Sequence, residues 1–389
     1  MSKQICQIYL NHEAAKKVAG GYPWIFADQI TNPSSLAISH NSDIAYLYTP
    51  KGIFLGSALI DKDFKLAFRL LSLQKIDAID SEFFKDYLRD AALKRDPFID
   101  APYYRLTNYE GDGLGGLSID RFGRHFRIES TLEFYFFYKD LLVEALTQLF
   151  DAESIIMNFA DTIYLLKGNP KSEITIEEGD CKFWVDILQG QKTGWYYDQR
   201  ENRLLIRQFA PGAKVLDCFC YSGGFGINAL KAGARHATFI DSSNPALLLA
   251  EKNIFLNGFA ADAYTTHQGD ASHIMHKMKD KDELFDLIIL DPPPFIKSKK
   301  SKPAAIRKYQ NIASIGLNLL NNDGYMLYSC CSHHMHKSDL REVMKNAARA
   351  SESKIVIIKE TTHAFDHPTC KSLSESVYLN SILVRKYAS

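Results

Sequence analysis

KVLDCFCYSGGFGINAL, residues 214–230, decides how the second half of the chain folds. Its apolar opening, Lys214 to Cys218, reads as a buried strand, Ser222-Gly223-Gly224 as a tight turn, and Ile227 to Leu230 as the start of an apolar helix. A strand passing through a glycine turn into a helix is the opening unit of an open α/β sheet. Its glycines let the backbone approach a ligand at the carboxyl edge. Outward from this stretch, HATFID, AYTTHQ, LFDLIILD, YMLYS, KIVIIK and VYLNSILVRK alternate with helical stretches, after an entry at Gln189 to Gly194 (QGQKTG). That alternation predicts a doubly wound parallel sheet, with NNDG (321–324) as a turn before YMLYS.

Three of the strands end in aspartate: Asp217, Asp241 and, in HQGDA, Asp270. Gly224, Gly226 and Ala229 satisfy the loose dinucleotide pattern, with Asp241 following at the end of the second strand. Asp217 separates the readings, because a carboxylate before the loop repels a pyrophosphate and suits the amine or sulfonium of S-adenosylmethionine. Asp241 can accept from both ribose hydroxyls, and Asp270 from an adenine amino group. Each aspartate alone is an ordinary turn residue; three at successive strand ends point to a nucleoside cofactor.

Asp291-Pro292-Pro293-Pro294-Phe295 follows the fourth strand, expected beside the first at the switch point of the sheet. Prolines stiffen that turn and remove amide donors, so a carboxylate and an aromatic face are expected to point into the crevice, suited to the edge and ring of a base. Cys330 and Cys331 end the next strand. Strand cysteines usually pack in a core, yet the two thiols alternate in direction, so one should face the crevice with Asp291. A thiolate there could add to C6 of a pyrimidine and make C5 nucleophilic. Lys297, Lys299, Lys300, Lys302, Arg307 and Lys308 crowd after the turn, as phosphate contacts or as a solvated helix face.

The 389 residues exceed one compact unit, and no stretch approaches the ~20 apolar residues that span a bilayer. A cytoplasmic location without membrane attachment is expected. Seven scattered cysteines without a C-x-x-C pair predict reduced thiols and no metal site, despite His333, His334 and His336 beside Cys331. Net charge is zero overall but is distributed as +2, −9 and +7 over residues 1–72, 73–190 and 191–389. Basic charge therefore gathers where the chemical motifs lie, as a polyanionic substrate requires. Residues 1–72 read as short strands of a small barrel. A helix with Ser81 as N-cap is expected after residue 73, then strands mixed with one amphipathic helix from about Phe136 to Phe150.

These motifs together resemble the large-subunit ribosomal RNA methyltransferases that form 5-methylcytosine, and the resemblance spans nearly the whole chain. Leu10 to Ile30, with GGYPWIF, is similar to the opening of a PUA barrel. DGLGGLSIDRFG (112–123) is similar to the central domain, and GQKTGWYYDQRENR (190–203) to the entry of the catalytic domain. The resemblance implies a multidomain α/β protein: a PUA-like RNA-binding β-barrel (1–72), a central α+β domain (73–188) and a Rossmann-like class I methyltransferase domain (189–389). It implies S-adenosylmethionine-dependent methylation of cytosine C5 in 23S ribosomal RNA. Cys331 matches the family's nucleophile, with Cys330 a neighbour and Asp291 holding the base. Asp217, Phe219, Tyr221, Ser222, Gly223, Asp241 and Asp270 would line the cofactor pocket, with Thr193 and Gln199 closing its methionine end. Phe295, Lys297, Lys299 and Lys300 would meet the RNA, and a homodimer is compatible with the sequence. Phe295 stands where many RNA cytosine methyltransferases carry a second cysteine, so the chain looks like the single-cysteine subtype.

Other readings keep some of these residues and discard the rest. An Asp-Pro-Pro-aromatic turn also serves methylation of a ring or exocyclic nitrogen of an RNA base, where no thiol is needed. A nicotinamide-dependent oxidoreductase fits the glycine pattern but not Asp217. A non-catalytic RNA-binding protein leaves the crevice residues without a purpose.

Overall fold

The computed structural model describes residues 5–34, 44–61, 65–99, 101–170, 173–191, 193–296 and 298–388. The chain divides into two compact units: 1–172 with 186–195 and 365–376, and 173–185 with 196–364 and 377–389.

The first unit holds two five-stranded sheets. One runs in the order Cys6–Tyr9, Ile44–Tyr48, Phe54–Ile60, Leu66–Ser72, Trp24–Phe26. The expected strand-only reading of this region fails at His12–Ala19, which is a helix. The Asn11 side chain caps it by accepting from the Ala14 amide at 2.9 Å, and Ala14, Ala15 and Val18 sink into the core at helical spacing. The other sheet runs Thr162–Lys167, Ser154–Phe159, His125–Ser130, Leu117–Phe122, Tyr103–Asn108, with two long helices packed on it. Asp80, not Ser81, caps the first of these, Ser81–Leu93, through the Phe83 amide at 2.9 Å. The second helix breaks at Tyr138 into Glu133–Phe137 and Lys139–Phe150. Arg95, 1% exposed, grips Asp112 with two bonds of 2.7 Å and donates to the Asp366 carbonyl at 2.9 Å. The Asp366 carboxylate in turn accepts from the Arg105 amide at 3.1 Å, so a distant loop is tied into this unit by buried charge.

The second unit is built on a seven-stranded sheet. Its strands are β1 (Lys214–Cys218), β2 (His236–Asp241), β3 (Tyr264–Gln268), β4 (Phe285–Leu290), β5 (Leu320–Cys331), β6 (Lys354–Thr361) and β7 (Leu379–Tyr387). Its helices are α1 (Arg200–Ile206), α2 (Gly224–Lys231), α3 (Asn244–Leu256), α4 (Ala271–Lys279), α5 (Lys302–Leu319) and α6 (Lys337–Ala350). The order β3-β2-β1-β4-β5-β7-β6 places β1 beside β4, as the switch-point reading expects. Six strands run one way and β7 alone enters antiparallel, between β5 and β6, a departure from the wholly parallel expectation. NNDG is also not a separate turn: β5 runs through it, with Asp323 at φ 64° and a pairing irregularity opposite Phe285 to Leu287.

Strand alternation sorts this sheet into two faces. Leu216, Cys218, Ile288, Leu290, Tyr328 and Cys330 share one core cluster with Met275, Tyr309 and Val343 of α4, α5 and α6. Register aligns Asp217 with Ile289, and Ile289 with Leu327. Asp291, Ser329 and Cys331 continue that row by steps of two, so Asp217, Asp291 and Cys331 belong to the opposite face.

Candidate active site

In the turn after β1 the backbone departs from ordinary geometry. Phe219 and Tyr221 sit at φ 62° and 48°, followed by Gly223 at 81°. Each non-glycine residue held there costs about 1–3 kcal/mol, so surrounding bonds must over-determine the loop. They do: the Cys220 amide donates to the Ile240 carbonyl at 3.1 Å and the Tyr221 amide to the Asp241 carboxylate at 2.9 Å. Asn253 on α3 donates to the Ser222 carbonyl at 3.1 Å. At Gly226 any side chain would strike the Phe239 ring, 2.2 Å from an ideal Cβ, so helix and sheet meet closely only with glycine there.

That close approach brings the Gly226 amide to Asp217 Oδ2 at 2.8 Å. Asp217 Oδ1 is buried with no hydrogen-bond partner. Burial, above all, pushes this carboxyl up to about 8; the Gly226 amide opposes the rise, and the charges of Asp291 and Asp241 add to it. A cation is the group that answers a buried carboxylate flanked by two others, and the sulfonium and amine of S-adenosylmethionine fit it. A pyrophosphate does not.

Asp241 ends β2 with its second oxygen accepting from the Ser243 amide at 2.9 Å. Asp270 is exposed and caps α4, accepting from the His273 amide at 2.9 Å, so its turn role is filled whatever else it contacts. Thr193 belongs to the first unit, where it is buried with its hydroxyl turned to the Asp120 carboxylate. Gln199, 1% exposed, donates from Nε2 to Asp291 Oδ2 at 2.9 Å. It thus touches the carboxylate assigned to the base.

The two cysteines differ as their faces differ. Cys330 is fully buried beside Tyr309, and burial pushes its thiol up to about 12. Such a sulfur stays protonated at neutral pH and is a poor nucleophile. Cys331 is half-buried on the face of Asp217 and Asp291, and the Ser332 amide after it is fixed to the Tyr378 carbonyl at 2.6 Å.

Phe295 does not present an open ring as expected. It packs against Tyr309 at 4.9 Å on the opposite, α5 side, with the Lys308 ammonium 3.9 Å from its centroid. The reason is local: Tyr309 also accepts from the Phe295 amide at 3.1 Å, which draws the end of the turn toward α5. Of the basic run, Lys297 lies outside the described residues and Lys302 is paired with Asp339 at 2.7 Å. Lys299 falls in a 3₁₀ turn before α5, and Lys300 and Arg307 are exposed. Among the described residues no group of three or more His, Cys, Asp or Glu converges as a metal site, and no helix is long and apolar enough to cross a membrane.

Sequence reasoning passed over Asn202 and Asn253. Both are wholly buried amides on helices. The signal available was a lone Asn in each of DQRENR and AEKNIF, a polar residue set among core positions.

The order β3-β2-β1-β4-β5-β7-β6 with β7 alone reversed, and a buried carboxylate at its switch point, are those of a class I methyltransferase fold. Residues 158–369 match the family model for S-adenosylmethionine-dependent methyltransferases, and residues 8–73 that for PUA-like domains. Ribosomal RNA large subunit methyltransferase I of Aeromonas hydrophila is 32% identical over 393 residues, covering 97% of this chain and 98% of that one. The protein of the same name from Tolumonas auensis is 31% identical with the same coverage. Among solved structures, a putative methyltransferase from Streptococcus mutans superposes with a TM-score of 0.84 at 22% identity, over 98% of this chain and 100% of that chain. A putative methyltransferase complexed with SAH superposes with a TM-score of 0.85 at 22% identity and the same coverage. The chain belongs to the S-adenosylmethionine-dependent methyltransferases, in the family of ribosomal RNA large subunit methyltransferase I. It is an enzyme, and its methyl donor is S-adenosylmethionine.

Proposed function

We propose that this enzyme methylates C5 of a cytosine in large-subunit ribosomal RNA through a covalent adduct on Cys331. The substrate class rests on the names of relatives that match the chain from end to end. The single observation carrying the mechanism is the parity of β4 and β5: the strand order and register put Cys331, not Cys330, on the face of Asp291 and Asp217.

Asp217, Asp241 and the strained loop from Phe219 to Gly223 hold the cofactor, with Asp270 at its adenine end. Bound there, S-adenosylmethionine supplies an activated methyl group. Asp291, steadied by Gln199, accepts from the exocyclic amine of the base. Cys331 forms a bond from its thiolate sulfur to C6, and the displaced electron pair makes C5 nucleophilic. Once C5 carries the methyl group, its proton passes to solvent and the C–H electron pair closes the C5–C6 double bond as the C6–S bond breaks, which releases the thiolate and restores the ring. Lys300 and Arg307 neutralise RNA phosphates, and the PUA-like domain grips the RNA, since splayed bases are read by stacking and edge contacts.

Cys331→Ala is expected to abolish methyl transfer while leaving S-adenosylmethionine binding within about twofold of the natural protein, a change under ~0.5 kcal/mol. Transcripts carrying 5-fluorocytidine should trap a complex that survives denaturing electrophoresis with the natural enzyme and not with the variant. Full transfer by Cys331→Ala would refute the thiol mechanism.

A further inference from the structure

A chain of side-chain hydrogen bonds, buried at its centre and half-buried at its ends, runs from the far edge of the second unit's sheet to Asp291. Thr361 on β6 donates from Oγ1 to Asn202 Oδ1 at 2.5 Å. Asn202 Nδ2 donates to Gln199 Oε1 at 2.6 Å and to Ser381 Oγ at 2.9 Å. Ser381 Oγ shares a hydrogen bond of 2.8 Å with Ser329 Oγ. Gln199 Nε2 then donates to Asp291 Oδ2 at 2.9 Å. Asn202 is 0% exposed and Gln199 1%. Thr361, Ser381 and Ser329 pair directly across β6, β7 and β5, so three hydroxyls stand in one row beneath the amides.

The direction of these bonds matters more than their number. An amide side chain can turn over and exchange donor for acceptor, and a Gln199 turned over would point its oxygen at the Asp291 carboxylate. In the observed direction the amides are matched in sequence: the Thr361 hydroxyl satisfies Asn202 Oδ1, which leaves Asn202 Nδ2 for Gln199 Oε1 and Gln199 Nε2 for Asp291. Without the Thr361 hydroxyl, Asn202 Oδ1 loses the donor that holds the amide this way round. A half-satisfied network of this kind is costly when buried, so the orientation is held firmly.

We infer that Asn202, anchored by Thr361, is a positioning residue that fixes Gln199 as a hydrogen-bond donor to Asp291 and so holds that carboxylate in the orientation that meets the substrate base. The inference rests on the proposed role of Asp291 in base binding. It adds a requirement at residues that reach Asp291 only through Gln199.

Two variants of Thr361 test it without disturbing the helix. Thr361→Val keeps the shape and loses the hydroxyl; Thr361→Ser keeps the hydroxyl and loses a methyl group. The assay is total transfer of labelled methyl groups from S-adenosylmethionine to ribosomal RNA, with nucleoside digestion of the same samples to locate the methyl. Thr361→Val is expected to lower kcat about 3- to 10-fold, with both KM values within about twofold and the melting temperature nearly unchanged, whereas Thr361→Ser keeps natural kcat. Asn202→Asp, which can no longer donate to Gln199, is expected to lose about 100-fold in kcat. A packing role predicts the reverse order, Val active and Ser impaired, and that result overturns the inference, as does natural kcat in Asn202→Asp. Should Asn202→Asp fail to fold, the Thr361 pair decides alone. Because transfer is counted at any atom, a product methylated elsewhere than cytosine C5 would refute the proposed reaction and leave this result readable.

Discussion

With the cofactor's cation seated on Asp217, as proposed, cofactor binding is tied to a proton. In the cofactor-free protein the Asp217 carboxyl titrates at about 8, raised by burial, so at pH 7 roughly nine molecules in ten carry it protonated. A cationic ligand favours the ionised form, and binding must expel that proton. Below pH 8 the apparent affinity for S-adenosylmethionine should therefore rise almost tenfold per pH unit, or roughly twentyfold between pH 6 and 7.5. Calorimetric titrations in buffers of different ionisation enthalpy should register close to one proton released at pH 6. Asp217→Asn should bind more weakly and lose the pH dependence. The same group acts on stability with a definite sign: its folded value is raised, so the stability it allows is complete below about pH 4 and is lost as pH rises through about 8. From 3.8 to about 8, at ~1.4 kcal/mol per pH unit, the ionised carboxylate costs the cofactor-free fold on the order of 6 kcal/mol. Asp217→Asn should accordingly unfold at higher urea than the natural protein at pH 9 and nearly alike at pH 4. Affinity that stays constant from pH 6 to 7.5, with no proton release, would refute the reasoning.

Cys330→Ala should retain more than half the natural kcat and lose about 1–2 kcal/mol of stability, since its sulfur packs in the core and hydrogen-bonds Tyr309 on the face away from the carboxylates; a loss as deep as that of Cys331→Ala would mean the wrong thiol is assigned. Gly226→Ala sets a methyl carbon against the Phe239 ring and should cost about 1–3 kcal/mol in chemical denaturation, together with weaker cofactor binding as the amide to Asp217 is displaced. Removing Lys300 and Arg307 together should flatten the salt dependence of RNA binding by about 0.7 log units per log unit of salt for each phosphate no longer neutralised, with the cofactor affinity untouched. An unchanged slope would return both cations to the solvated helix face.

Fold and site were legible to different depths. The strand-turn-helix at residues 214–230 and the alternation after it carry the parallel sheet, because apolar periodicity and glycine turns are local signals. The antiparallel β7 was not legible, since direction is set by how the chain returns after β6, and that return passes through residues 365–376, which belong to the other unit. No local pattern announces that Arg95 and Arg105 will hold Asp366. His12–Ala19 was missed because a helix of eight residues leaves only two turns of periodicity, easily read as alternation. At the site, acidic strand ends and the thiol pair could be read directly. Phe295 could not, because its partner Tyr309 lies in a helix whose docking the turn itself does not encode.

What separates Cys330 from Cys331 is a single residue of register. Tyr328 aligns with Leu290, the residue before Asp291, and that one pairing fixes every side chain of β5 to a face. A slip by one would bury Cys331 beside Tyr309, where a thiol resists ionisation, and turn Cys330 toward the carboxylates. Three features pin the register. Tyr328 donates its hydroxyl to the Tyr309 carbonyl at 2.8 Å within the core. Ser329 meets Ser381 across the neighbouring strand at 2.8 Å. Asn380, opposite Cys330, donates to the Met335 carbonyl at 2.8 Å. Each of these is buried, so a slip would leave several polar groups unsatisfied at about 1–3 kcal/mol apiece, more than any gain from repacking two cysteines. The packing of β5 between β4 and β7 therefore decides which thiol shares a face with the carboxylates, and the proposed chemistry on Cys331 depends on it.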